Sequence, residues 1–216
     1  DLARDSLPPG LIYKFSAEVS TNAANLLLSY SFLNSTTNAF PNTKFFSFFD
    51  AEIDEGTNTF FNEYGLVKGT IGLGVQDPKP DQWQIDEPGF QTGTMLQNLF
   101  LGALGNTNQV PQGKPNDVSM ALGFSLGEMK PGDTTVVQIL ISDYTNSIGS
   151  FALVQKDGAF ASTTTMTMSG GVNRNINVNS LPSNTVTNTP STNGPVDITG
   201  QVQLAFQWSL KRPAGS

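Results

Sequence analysis

Cysteine and histidine are both absent from the 216 residues. Without them the chain has no disulfide framework, no thiol nucleophile, no imidazole base and none of the nitrogen or sulfur ligands usual for zinc, copper or iron. Charge is also scarce, at 13% of residues against about a quarter in an average domain. The eleven basic residues are scattered and the net charge is −7, so no basic footprint for nucleic acid exists. No apolar run approaches the ~20 residues needed to cross a bilayer as a helix, and no membrane span is expected. The glycines at 69, 72 and 74 lack a following Lys-Ser/Thr and open no helix, which argues against a nucleotide loop. What survives these exclusions is oxygen chemistry, with Ca²⁺ the chief candidate ion.

Thr, Asn, Ser and Gly are abundant, a bias of exposed β structure and polar loops. Alternation at Leu11, Tyr13, Phe15, Ala17 and Val19 predicts a half-buried strand, and Leu26, Leu28, Tyr30 and Phe32 predict its antiparallel partner. Phe45 to Ile53 is apolar enough in its first half to need cover on both faces, as a central strand does. Apolar residues at helical spacing from Leu96 to Leu104 predict one helix, near 94–104, with Thr92 or Thr94 as N-cap and Gly105 as C-cap. The alternation from Val118 to Leu126, the Lys130-Pro131-Gly132-Asp133 turn and the Val/Ile-rich Thr134 to Ser142 predict a hairpin. Shorter strands are expected at Phe151 to Val154 and Ala161 to Ser169, a polar loop over Asn173 to Pro195, and a closing strand at Val202 to Leu210. Together these predict an all-β, two-sheet antiparallel sandwich, jelly-roll-like, with one short helix insertion and long polar loops. Residues 1–10, with Pro8 and Pro9, read as an N-terminal arm, and residues 11–216 as a single domain.

Candidate sites are few. Asp50, Glu52 and Asp54 fall on one face as the apolar strand ends; with Glu55, Asp86 and Glu87 they form a candidate Ca²⁺ site or, on the other reading, a solvated acidic loop. Asp54 with Glu87 is the carboxylate pair to test for glycoside hydrolysis, although nothing else supports an enzyme and none is expected. Phe60, Phe61, Tyr64 and Trp83 offer either a sugar platform or core packing. Asn34-Ser35-Thr36 matches a glycan acceptor at Asn34.

The blocks FFSFFDAEIDEGTNTFFNEYG, WQIDEPGF, GALGNTN and NDVSMALGFSLGEMKPGD occur in this order between Phe45 and Ser142. In them the chain resembles secreted bacterial proteins of the PEP-CTERM class, which are sorted to the cell surface and associated with exopolysaccharide. The Pro-Glu-Pro motif, apolar helix and basic tail of that class do not follow. The strand, Lys-Pro-Gly-Asp turn, strand unit is also similar to biofilm-fibre subunits of the TasA and camelysin type, which polymerise by lending a strand to a neighbour. The chain begins at Asp1, as a mature chain does after signal-peptide removal. The expectation is therefore a secreted, non-enzymatic cell-surface or biofilm-matrix protein without an obligatory cofactor. It would assemble with copies of itself by β-strand addition through Leu2, Leu7, Leu11, Tyr13 and Phe15. The alternative is a matrix module that binds polysaccharide or Ca²⁺.

Overall fold

The computed structural model describes residues 8–20, 25–53, 59–143, 146–159 and 165–174. They form two sheets packed face to face. In chain order the strands are β1 (Leu11–Val19), β2 (Asn25–Asn34), β3 (Phe40–Asp50), β4 (Glu63–Lys68), β5 (Gln82–Asp86), β6 (Thr107–Asn108), β7 (Ser119–Met129), β8 (Thr134–Ser142), β9 (Ala152–Asp157) and β10 (Thr165–Arg174). The larger sheet runs β1-β2-β8-β10-β9-β4 and the smaller β3-β7-β5-β6. All pairings are antiparallel except the short β5–β6 pair, which is parallel and makes the smaller sheet mixed. The expected strand at Val202 to Leu210 and nearly all of the loop from Asn173 lie outside the described residues; Asn173 and Arg174 end β10.

The antiparallel pairing expected at the start of the chain is realised in full register. β1 pairs with β2 from Leu11 opposite Asn34 to Val19 opposite Leu26, so Tyr13 faces Phe32 and Phe15 faces Tyr30. Tyr30 and Phe32 are almost fully buried and meet Phe45 of the opposite sheet, with ring centroids 4.8 and 5.7 Å away. The face of β1 that carries Tyr13 and Phe15 is therefore the inner face of the sandwich. The main core continues through Leu122, Phe124, Val137, Ile139, Leu153 and Met168.

Three expectations change. β7 and β8 are not a hairpin: β7 pairs with β3 and β5, β8 with β2 and β10, and the turn between them carries the chain from one sheet to the other. Two alternating strands around a tight turn read alike whether they pair or arch across a core, and here the buried residues of both strands demand cover that a two-stranded ribbon cannot give. β3, expected at the centre of a sheet, has a neighbouring strand on one side only among the described residues, namely β7. Its two faces are covered all the same, because Phe45 and Phe49 enter the main core while Phe46 and Phe48 pack with Met95, Leu99 and Leu104. These last come from or follow the single helix α1 (Met95–Leu101), shorter than predicted. α1 stops at Gly102, whose left-handed φ of 65° caps the last carbonyls, and it leaves Phe100 52% exposed. Among the described residues no helix is long and apolar enough to cross a membrane.

Candidate functional site

Two regions combine exposed or strained chemistry with a defined position. The first is the β1 edge. The larger sheet has six strands against four, and β3 stands opposite β2, so no described strand of the smaller sheet lies over β1. Burial along β1 reflects this overhang: Leu11 is buried, every later residue is exposed, and Tyr13 and Phe15 retain 46% and 41% of their surface although they point inward. Ile12, on the other face, is exposed as well. Among the described residues no strand lies beyond β1 in the larger sheet, and β3 pairs only with β7. The described part of β1 is thus a largely exposed apolar strand at the end of its sheet.

Of the residues expected as subunit contacts, Leu11, Tyr13 and Phe15 thus belong to a strand paired within its own chain, whereas Leu2 and Leu7 lie outside the described residues. Gly10, expected to belong to a detached arm, is fastened: its carbonyl accepts from the Ser35 amide at 2.9 Å and the Ser35 hydroxyl at 2.7 Å. With φ at +83° and Thr36 Cγ2 only 2.2 Å from where a Cβ would stand, this position has room for glycine alone.

Asn34 turns out to be an internal strut. It is fully buried, its Oδ1 accepts from the Thr36 amide and hydroxyl, and its Nδ2 donates to the carbonyls of Asn38 and Met129, each at 2.8 Å. A glycan on that nitrogen would have to displace both donated bonds, so the folded chain does not present the Asn-Ser-Thr motif as an acceptor. The sequence signal for the true role was local: Asn two residues before Thr at a strand end is an Asx turn.

The second region is acidic. As anticipated, Asp50 and Glu52 remain neighbours where β3 leaves the sheet, and they are joined by Asp117, just before β7. One oxygen from each lies within 4.8 Å of the others, and all three side chains are half-buried. Burial, with Asp117 adding like charge, pushes the Asp50 carboxyl up to about 7. Behind them Glu63, fully buried, accepts from the Ile53 amide at 2.9 Å and from Gln155 Nε2 at 2.6 Å. Desolvation outweighs those two bonds and raises Glu63 to about 9. Neither Asp117 nor Glu63 was singled out from sequence, because both are brought here by strand pairing over long chain separations.

Asp54 and Glu55 lie outside the described residues, which leaves the proposed hydrolytic pair of Asp54 and Glu87 without a described geometry. Asp86 and Glu87 do not join the cluster. Asp86, at the end of β5, accepts from Gln84 Nε2, the Thr94 amide and the Thr94 hydroxyl on one oxygen and from the Glu87 amide on the other. It anchors the start of α1. Glu87 accepts from the Thr92 hydroxyl. The aromatic set is divided too: Tyr64 is buried and Trp83 packs on the core, while the Phe60 and Phe61 rings meet tilted by 44° with centroids 4.1 Å apart and Phe61 exposed.

No protein-family model, curated protein or solved structure matches this chain.

Proposed function

We propose that this chain is an extracellular structural subunit that assembles with copies of itself by β-strand addition at the β1 edge. The observation that carries the reading is the exposure of β1, whose Tyr13 and Phe15 keep 46% and 41% of their surface and beyond which no further strand of the larger sheet is described. Exposed strand edges invite pairing, and natural domains usually blunt them with charge, proline or a covering segment. β1 has one lysine and one glutamate, both on its outer face, and nothing on the inner face that would repel an incoming strand. Main-chain bonds along the nine residues of β1 would supply affinity. Covering each half-exposed ring would add roughly 1 kcal/mol.

In this reading Leu11, Tyr13 and Phe15 belong to the acceptor, not to the donated segment. The donor is the arm of the next copy, with Leu2 and Leu7 as its apolar contacts. Secretion and placement at the cell surface or in a biofilm matrix rest on composition and on the stated resemblance. The alternative, a matrix module for polysaccharide or Ca²⁺, is favoured by the carboxylate cluster in its metal half only, since the aromatic residues form no single platform.

The test is negative-stain imaging of the concentrated full chain beside Phe15→Asp and a deletion of residues 1–7. Fibres or layers that both changes abolish are the expected result. Assembly by the parent chain that survives both would remove strand addition at this edge, and a parent chain that stays monomeric would remove the structural reading itself.

A further inference from the structure

The two ends of the larger sheet differ. At β4 the flank turned away from β9 is bonded by the chain's own segment 108–116: the Gly65 amide donates to the Val110 carbonyl at 2.8 Å, the Gly65 carbonyl accepts from Asn108 Nδ2 at 2.7 Å, and the Glu63 carbonyl accepts from the Asn116 amide at 2.8 Å. At the other end β1 lies one strand further out than β2, over which β3 stands. A strand added to β3 on the side away from β7 would therefore lie over β1. Inner-face rings of the three strands form a row there, Tyr13 with Phe32, Phe15 with Tyr30, and both Tyr30 and Phe32 with Phe45, at centroid distances of 4.8 to 6.5 Å. These contacts do not complete the row, since each of the five residues has a further interaction besides them.

Of the chain outside the described residues, one stretch suits this position. Residues 201–210 read QVQLAFQWSL, with Val202, Leu204, Phe206, Trp208 and Leu210 alternating with glutamines, Ala205 and Ser209. The stretch holds no charge and no proline, and Lys211, Arg212 and Pro213 follow it. Such alternation belongs to a strand with one face on a core and the other in water. From Val202 to Leu210 it is as long as β1, nine residues. Residues 1–7 have no aromatic ring to offer. Reach is sufficient as well. Arg174, the last residue of β10, stands in one cross-strand row with Thr135, Phe32 and Tyr13. That row spans three strand spacings, about 14 Å, and the opposing sheet lies about 10 Å away. The 26 residues from 175 to 200 cover roughly 30 Å as a flexible chain.

We propose that residues 202–210 of the same chain pair with β3 as a fifth strand of the smaller sheet, laying Phe206 and Trp208 on the aromatic row and turning the glutamines to solvent. This strand covers apolar ring faces, and its main-chain bonds occupy the flank of β3 opposite β7. It uses the inner face of β1, whereas assembly by strand addition uses the main-chain flank of β1, so either holds without the other.

The test follows the full chain over a concentration series that begins where light scattering gives a single copy. Trp208 is read from the difference between the full chain and Trp208→Phe, because Trp83 is the only other tryptophan. The expected emission is blue-shifted, several-fold better shielded from acrylamide than in urea, and independent of protein concentration. Phe15→Ala should move it to the red, while Phe61→Ala, at an exposed ring outside the row, should not. Deleting residues 201–216 should speed hydrogen exchange in β3 by about tenfold or more relative to β5. Phe206→Asp in the full chain supplies the same comparison if the truncated chain does not fold. Trp208 quenched as freely in the folded chain as in urea, or β3 exchange unchanged in folded variants, would overturn the proposal. Emission that reddens on dilution would also overturn it, by assigning the covering strand to another copy. A chain that forms no fibres in negative-stain images gives the same readouts, so failure of self-assembly is told apart from failure of this strand.

Discussion

Asp50 and Asp86 occupy equivalent places and meet opposite fates. Both end a strand of the smaller sheet, and both stand directly across from Ser119, one on either side. Two strand spacings, roughly 10 Å, separate them. Asp86 is buried among donors: two amides, a hydroxyl and a carboxamide all point at it. Asp50 is turned toward other carboxylates and has one oxygen with no donor at all. The same residue type at the same register can therefore be a structural anchor or a strained acceptor. What decides is the segment packed over it, α1 with its N-terminal Thr94 in one case and the acidic Asp117 turn in the other.

The contrast can be broken most forcefully at Asp86. Asp86→Ala strips the partner from four donors at once and should cost about 3 kcal/mol, read as a fall in the urea midpoint with far-ultraviolet dichroism showing loss of the α1 contribution first. A change under about 0.5 kcal/mol would mean that water replaces the carboxylate and that Asp86 is no anchor.

Proton linkage gives the next effect. Asp50 and Glu63 both hold their protons more tightly when folded, at about 7 and about 9 respectively. Between the unfolded values, about 4, and those folded values the native state binds more protons than the unfolded chain. Stability must therefore fall as pH rises through this window and is fully restored only on acidification toward its lower end. With chelator present, the melting midpoint should be several degrees higher at pH 5 than at pH 9, and Glu63→Gln should flatten the slope. A midpoint that falls on acidification would contradict the burial of these groups.

Asp50→Asn should have a smaller effect of opposite sign to Asp86→Ala. Removing one of the crowded charges is expected to stabilise the ion-free chain by about 1 kcal/mol at pH 8, seen as a raised urea midpoint. Destabilisation there would place an unrecognised donor on Asp50. The mildest change sharpens the comparison at its midpoint. Ser119→Ala removes the hydroxyl that donates to the Asp86 carbonyl at 2.8 Å. It should cost about 1 kcal/mol or less while leaving the pH slope attributed to Asp50 untouched. Measuring both midpoint and slope in this variant separates the two sides of the strand.

Legibility followed the same division. The β1 and β2 faces, the short helix and the positions of Asp50 and Glu52 relative to Ala51 and Ile53 were readable because strand and helix periods are local. The β7–β8 arch was not, since alternation tells which residues face a core but not which strand lies beside them. Asn34 shows the reverse error: a three-residue motif suggested a surface modification, whereas burial and four side-chain hydrogen bonds make it a strut.

The amino-acid sequence by itself determined that this protein is an all-β sandwich without imidazole or thiolate groups, because periodicity and the absence of histidine and cysteine are properties of the chain alone. Only the tertiary structure decided that no described strand of the smaller sheet would lie over β1, that Asp86 would be saturated with donors, and that Asp117 would join Asp50 and Glu52 with Glu63 and Gln155 packed behind them. Sheet size and long-range pairing set those outcomes, and both arise from packing between segments far apart in the chain.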